Sequence, residues 1–184
     1  MKEHLKQLLK HLLYYLVFLV VTTTAVITYQ DYKIQQEIEA VKKERKEQMK
    51  AKEKACIKEA LWHEARGEGE YGVLAVASVI ENRIKHPNYP STYCAVIKQH
   101  KQFSYTLDKS KPTGERLEAS IKASEQPMYT KVALTADNMV EGRFEPVLEH
   151  SVLWYAHKKV KNYWTKTKSV ATKIGKHVFY KDKK

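Results

Sequence analysis

The sequence predicts an α+β, helix-dominated domain preceded by a single transmembrane helix and a helical stalk. Three observations carry this. Between Lys10 and Asp31 no residue has a fixed charge. From Asp31 to Lys54 the chain is dense in Lys, Glu and Gln and holds neither Gly nor Pro. Beyond that, apolar residues recur at helical spacing until two short aromatic and branched runs near the end. With 184 residues there is room for one ordinary domain and an appendage. The boundaries read 1–30 for a signal anchor, 31–54 for the stalk and 55–184 for the globular domain.

The apolar run Leu12 to Ile27, within residues 11–30, offers roughly 20 residues, or about 30 Å of helix, enough to cross a bilayer. Lys2, Lys6 and Lys10 precede it, which favours a cytoplasmic N-terminus and an extracytoplasmic remainder. Tyr14, Tyr15 and Tyr29 stand near its ends as interfacial aromatics do. A cleaved signal peptide is the competing reading, and Thr23-Thr24-Ala25 makes a poor cleavage site. The threonines leave the span only marginally hydrophobic. In the stalk, Ile34, Ile38 and Val41 form a thin apolar stripe that fades too soon for a sustained coiled coil.

The globular part begins with Ile57, Ala60, Leu61 and Glu64 on a helix that Arg66-Gly67-Glu68-Gly69 breaks. Tyr71 to Ile84 predicts a second helix, apolar on nearly all sides and therefore central. His86 to Pro90 is a turn, and Ser91-Thr92 caps a short helix through Lys98. Gln102 to Tyr105 reads as extended or loop. Helix returns from about Glu115 to Ala123, and again from Pro127 to Val140, where Gly142 stops it. Val152 to Tyr155 and Lys176 to Tyr180 read as strands.

The net charge of +12 attracts polyanions. An exported location removes nucleic acid as a partner and leaves anionic lipids and wall polymers. Cys56 and Cys94 are the two cysteines, and an exported compartment permits a disulfide between them, with two separate thiols as the alternative. They are too few for a zinc cage. His63-Glu64 fails the helical HExxH zinc pattern because Gly67 stands where the second His is required. There is no nucleophile elbow, P-loop or dinucleotide fingerprint, and no cofactor is implied.

What remains is acid–base chemistry on Glu64. A carboxylic acid packed beside an apolar helix can hold its proton near neutral pH. Glu68 and Glu70 add repulsion that raises the pKa further, and Arg66 opposes it. The competing reading is a solvated acidic turn.

Glu64-Ala-Arg-Gly-Glu68, Gly72 to Ala77, Val79-Ile-Glu-Asn-Arg83, Pro90 to Ile97, Gln102-Phe-Ser104, Trp154-Tyr155, Tyr163-Trp164 and Ile174 to Tyr180 occur in an order that resembles the cell wall hydrolases typified by spore-cortex-lytic enzymes. The resemblance covers about Ala55 to Tyr180. It implies a lysozyme-like domain that cuts peptidoglycan glycan strands between N-acetylmuramic acid and N-acetylglucosamine, by lytic transglycosylation with one catalytic glutamate. That residue maps to Glu64. Glu68, Gln102, Phe103, Ser104, Tyr155 and Trp164 map to substrate binding, with burial in the core as the alternative for Tyr155 and Trp164. Asp108 is the nearest downstream candidate for a second carboxylate, which leaves ordinary hydrolysis open. Asn82-Arg83 is expected to tie the second helix to neighbouring backbone. His63 and Val152-Leu153-Trp154 depart from the commonest family forms, and where relatives often carry a separate wall-binding module this sequence reads as anchor and stalk. The setting implied is a bacterial envelope, with a phage-encoded lysin equally compatible. The rival from another class is a non-catalytic, membrane-tethered protein that binds glycan or another anionic partner.

Overall fold

The computed structural model describes residues 1–100, 102–160 and 163–183. Contacts divide the chain into two units, Met1–Gln48 and Met49–Lys184. The element order is α1 (Lys2–Ala65), α2 (Gly69–Lys85), α3 (Tyr93–Ile97), α4 (Gly114–Ser120), α5 (Gln126–Val140), β1 (Val152–His157), α6 (Tyr163–Thr167), β2 (Lys168–Ile174) and β3 (His177–Asp182).

The first unit is the long N-terminal part of α1. It contains an 18-residue window of mean hydropathy 1.9, long and apolar enough to cross a membrane. Its Leu, Val, Phe and Ile side chains between Leu12 and Ile27 are exposed along the helix. The threonines matter less than their number suggests. The hydroxyls of Thr22, Thr23, Thr24 and Thr28 each donate to a carbonyl three or four residues earlier, at 2.9–3.0 Å. Internal bonding of this kind hides the polar atom and lowers the cost of placing Thr in an apolar medium.

In the second unit the end of α1 buries Ile57, Ala60, Leu61 and Ala65, a three- and four-residue spacing that lays one face on the core. α2 is buried along most of its length. It packs against α3, α5 and β1, so it is the centre about which the domain closes. Its polar residues are used. Ser78 Oγ receives the Val147 N–H at 2.8 Å. Asn82 Nδ2 donates to the Glu149 and Val152 carbonyls at 2.8 and 3.1 Å, and Arg83 Nε donates to the Leu153 carbonyl at 2.8 Å. The expectation that Asn82 and Arg83 tie this helix to backbone therefore holds, and the backbone they hold is the entry to β1.

Cys56 and Cys94 are joined in a disulfide that fastens α1 to α3. The Thr92 side chain caps α3 by accepting the Ala95 N–H at 3.4 Å.

The three strands form one antiparallel sheet in the order β1-β3-β2. Register slips between Val152 and Trp154 and between Val170 and Thr172, one extra residue in each outer strand. One face, with Tyr155 and Phe179, joins the main core. The other, with Ala156, Val178 and Tyr180, is covered by Trp154 and Trp164.

Two elements differ from expectation. β2 was not foreseen; Lys168-Ser-Val-Ala-Thr-Lys-Ile174 is a sheet edge with only partial burial, so its apolar alternation is faint. The short helix α6 was also missed. The segment read as extended or loop is extended at Phe103 and then forms a 3-10 turn over Ser104–Leu107, with Asp108 N–H bonded to the Tyr105 carbonyl.

Candidate active site

The site is built where the end of α1 meets the 3-10 turn Ser104–Leu107 and the middle of β1. Glu64 is the penultimate residue of α1, and the chain leaves the α-helix at Arg66. Ser104 Oγ donates to its carboxylate at 3.2 Å. The backbone N–H groups of Ser104 and Tyr105 also face it. The Tyr155 hydroxyl comes from β1. It is wholly enclosed, completes no hydrogen bond of good geometry, and lies close enough to Glu64 for each group to act on the other's ionisation.

Burial pushes the Glu64 pKa up, and it outweighs the donors from Ser104, Tyr155 and Tyr105, which favour the charged form. The expected contribution of acid repulsion has a different fate. Glu70 pairs with Lys131, and Glu68 accepts the Lys176 N–H at 2.6 Å. Arg66 is also occupied, donating to the Trp62 carbonyl at 3.1 Å with its guanidinium over the Trp62 ring. Desolvation, not neighbouring charge, is what raises this carboxyl.

Beneath the carboxylate lies an aromatic and cationic floor. Phe103 is 0% exposed, with its ring 6.4 Å from that of Tyr155. Arg83 is 3% exposed, and its guanidinium sits 6.0 Å from the Phe103 ring and 5.4 Å from Tyr89. Its charge acts on Tyr155, favouring the ionised phenol, while burial drives the Tyr155 pKa up more strongly. His177 packs edge-on to Tyr155 at 5.1 Å, and burial holds its pKa low. On the other side His63 stacks on Tyr105 at 4.8 Å and contacts the Pro112 carbonyl at 2.8 Å.

The sequence-derived residues thus separate into groups. Glu64, Ser104 and Tyr155 come together. Gln102 is exposed, two residues before Ser104 in the chain. Phe103 is fully buried, so its ring supports the site from below and is shielded from any ligand in the groove. Glu68 is clamped between α2 and the β2–β3 turn, where a Cβ added at Gly72 or Gly175 would strike it. Trp164 stacks edge-on to Tyr180 at 5.4 Å on the opposite face of the sheet from Tyr155. Asp108 is spent in its own turn, accepting from Ser110 N and Oγ at 3.0 and 2.6 Å. Tyr105 and Arg83 are the participants that sequence reasoning missed in these roles. The run Gln102-Phe-Ser-Tyr105 held a signal for the first.

Among the described residues no group of three His, Cys, Asp or Glu side chains is placed to hold a metal ion.

Residues 67–180 match the family model described as Cell Wall Hydrolase. Glu64 lies just before that segment. No curated protein matches the chain. Among solved structures, the catalytic domain of the germination-specific lytic transglycosylase SleB from Bacillus anthracis is similar at 26% identity and TM-score 0.53, over 70% of this chain and 93% of that one. The catalytic domain of the Bacillus cereus SleB protein is similar at 25% identity and TM-score 0.53, over 70% of this chain and 89% of that one. With more than half its length matched to the family model, and its fold shared with two such catalytic domains, the chain belongs to the cell wall hydrolase family.

Proposed function

We propose that the protein is a membrane-anchored enzyme that cleaves peptidoglycan glycan strands between N-acetylmuramic acid and N-acetylglucosamine, with Glu64 as its single acid and base. The observation that carries this is the desolvated Glu64 carboxyl, which accepts from Ser104 Oγ and has the Tyr105 backbone and the Tyr155 hydroxyl close by. The family membership and the similarity to lytic transglycosylase domains support the substrate class.

In the first step protonated Glu64 donates its proton to the glycosidic oxygen as the bond to the muramyl anomeric carbon breaks. Glu64, now a carboxylate, is stabilised by the same donors. It then removes the proton from the 6-hydroxyl of the muramyl sugar. That oxygen attacks the anomeric carbon and closes a 1,6-anhydro ring, returning Glu64 to its acid form. The proton lost in one step is regained in the next, and neither water nor a protein nucleophile is consumed.

Hydrolysis by the usual route uses a second carboxylate across the scissile bond. Glu59 is the other acid whose charge reaches Tyr105. It stands five residues earlier on α1, about 140° around the helix from Glu64. Its carboxylate is occupied by the Gly114 N–H at 2.7 Å. Intramolecular ring closure needs no such partner and is the preferred reading.

The anchor is the apolar part of α1, with Lys2, Lys6 and Lys10 on the cytoplasmic side and the domain on the extracytoplasmic side.

The test is digestion of intact sacculi by the full chain in detergent, with and without Glu64→Gln, with soluble products read by mass spectrometry. Anhydromuramyl ends from the parent, lost in the variant, are expected. Reducing muramyl ends would replace transglycosylation by hydrolysis. Equal cleavage by the variant would remove Glu64 from the chemistry.

A further inference from the structure

A cavity of about 480 Å³ opens beside the site, walled by Glu59, Tyr105, Thr106, Leu107 and Thr113 together with Lys98 and His100. Tyr105 divides it from the Glu64 carboxylate. Its backbone faces Glu64, while its phenol is raised in pKa by burial and by the charges of both Glu59 and Glu64. Glu59 and Glu64 are separated by about 7.5 Å of helix rise. The two side chains leave the helix about 140° apart, so what joins the cavity to the site is Tyr105, which lines the one and faces Glu64 in the other.

Its ionisable lining is what needs explaining. Glu59 is fixed in the wall by the Gly114 N–H. Lys98 and His100 are exposed, and neither is in an ion pair among the described residues. A strand of N-acetylated sugars is neutral, because the lactyl carboxyl of each substituted muramyl unit is consumed in an amide. Charge in peptidoglycan lies on the stem peptide, which carries carboxylates and, on its diamino acid, an amine. A wall that offers an ammonium, an imidazole and a carboxylate suits that zwitterionic chain and has nothing to recognise on bare sugar.

We propose that this cavity is a subsite for the stem peptide of the muramyl unit beside the scissile bond, with Lys98 and His100 taking a stem carboxylate. The inference rests on the peptidoglycan reading above. It makes the enzyme a reader of peptide substitution on the glycan as well as a glycan cutter.

Binding separates the two claims. The full chain carrying Glu64→Gln, in detergent, is titrated with soluble glycan oligomers bearing stems, and with the same oligomers stripped by an amidase. Stripped oligomers keep free lactyl carboxylates, so they control for attraction between any carboxylate and a basic protein. Stem-bearing oligomers are expected to bind about 3- to 10-fold tighter, the size of one exposed ion pair and one hydrogen bond. Adding Lys98→Ala with His100→Ala brings that ratio towards one. Lys159→Ala, which removes a lysine charge elsewhere on the surface, leaves it unchanged. A ratio of one in the parent overturns the proposal, as does tighter binding of stripped strands. So does a ratio that survives the double substitution or falls equally with Lys159→Ala. Turnover by Glu64→Gln would instead sink the catalytic reading and leave this ratio to be judged on its own.

Discussion

The Glu68 carboxylate accepts the Lys176 backbone N–H at 2.6 Å, so the acidic turn after α1 holds the turn between β2 and β3. Two glycines make room for it. A side chain at Gly72 would strike the Glu68 Cβ, and one at Gly175 would strike its carboxylate oxygen. Gly175 also has φ +57, a conformation that L side chains rarely adopt. Three separated motifs thus close on one glutamate side chain.

Glu68→Ala should therefore act on stability before it acts on substrate. Loss of a hydrogen bond between a charged acceptor and a backbone donor is expected to cost about 1–2 kcal/mol, or a Tm fall of about 3–8 °C. Gly175→Ala should cost at least as much, because it combines strain with collision. Thermal unfolding reads both. An unchanged Tm with a raised KM in Glu68→Ala would return this residue to the substrate groove.

Tyr155→Phe separates catalysis from folding. The hydroxyl is enclosed without a well-formed partner, so the resting protein holds a polar group at little benefit, and its removal is expected to leave Tm unchanged or slightly raised. In turnover the same hydroxyl supports the Glu64 carboxylate once its proton has left. We expect kcat to fall about 10-fold or more, equivalent to ~1.4 kcal/mol of transition-state stabilisation. A large loss of Tm with normal kcat per folded molecule would make Tyr155 a core residue only.

Much of this site was legible because its signals are local. Glu64 stands at a helix end marked by glycines, and Ser104 sits in a short distinctive run. Tyr155 lies in a run of branched and aromatic residues that strands favour. The central place of α2 followed from its apolar surface, confirmed by burial along most of its length. What escaped depends on distant partners. β2 is an edge strand whose Lys, Ser and Thr give weak alternation, and it exists because β3 pairs with it from Lys168 to Ile174. Glu68 reads as a groove acid until Lys176, 108 residues away, is seen to occupy it. The raised pKa of Glu64 was anticipated with partly the wrong cause: proximity in sequence suggested repulsion, whereas Glu68 and Glu70 turn to other partners. The cavity walls come from three segments, and no periodicity links Glu59, Lys98 and Thr113.

The disulfide between Cys56 and Cys94 closes a loop with a sequence separation of 38, joining the helix that carries Glu64 to α3. Cross-links over loops of this size restrict the unfolded chain and stabilise by about 3–4 kcal/mol. Reduction, or paired Cys56→Ser and Cys94→Ser substitution, is expected to lower Tm by about 10 °C or more. Thiol quantification before and after denaturation checks that the bond is present in the isolated protein. Indifference of Tm to reductant, with the bond shown to be broken, would confine it to a bystander role.

Glu64 links stability to pH in a direction opposite to that of a paired surface acid. Burial raises its folded pKa above that of the unfolded chain. Below the ordinary carboxylate range, about pH 4, the group is protonated in both states and folding loses nothing. As pH climbs from the unfolded value to the raised folded one, the unfolded chain ionises while the native protein keeps its proton, so stability is lost across that window and levels off above it. Glu64→Gln cannot ionise, so it keeps the low-pH stability throughout. The variant should unfold at a higher Tm than the parent near neutral pH, and the two curves should converge on acidification. The same substitution should lower turnover by about 100-fold or more, since no proton can be donated. In the parent, activity should fall on the alkaline side at the upper edge of that window, where the folded Glu64 itself ionises. A variant less stable than the parent at neutral pH would mean that the donors from Ser104, Tyr105 and Tyr155 outweigh burial. Glu64 would then rest as a carboxylate, unable to begin the reaction as an acid.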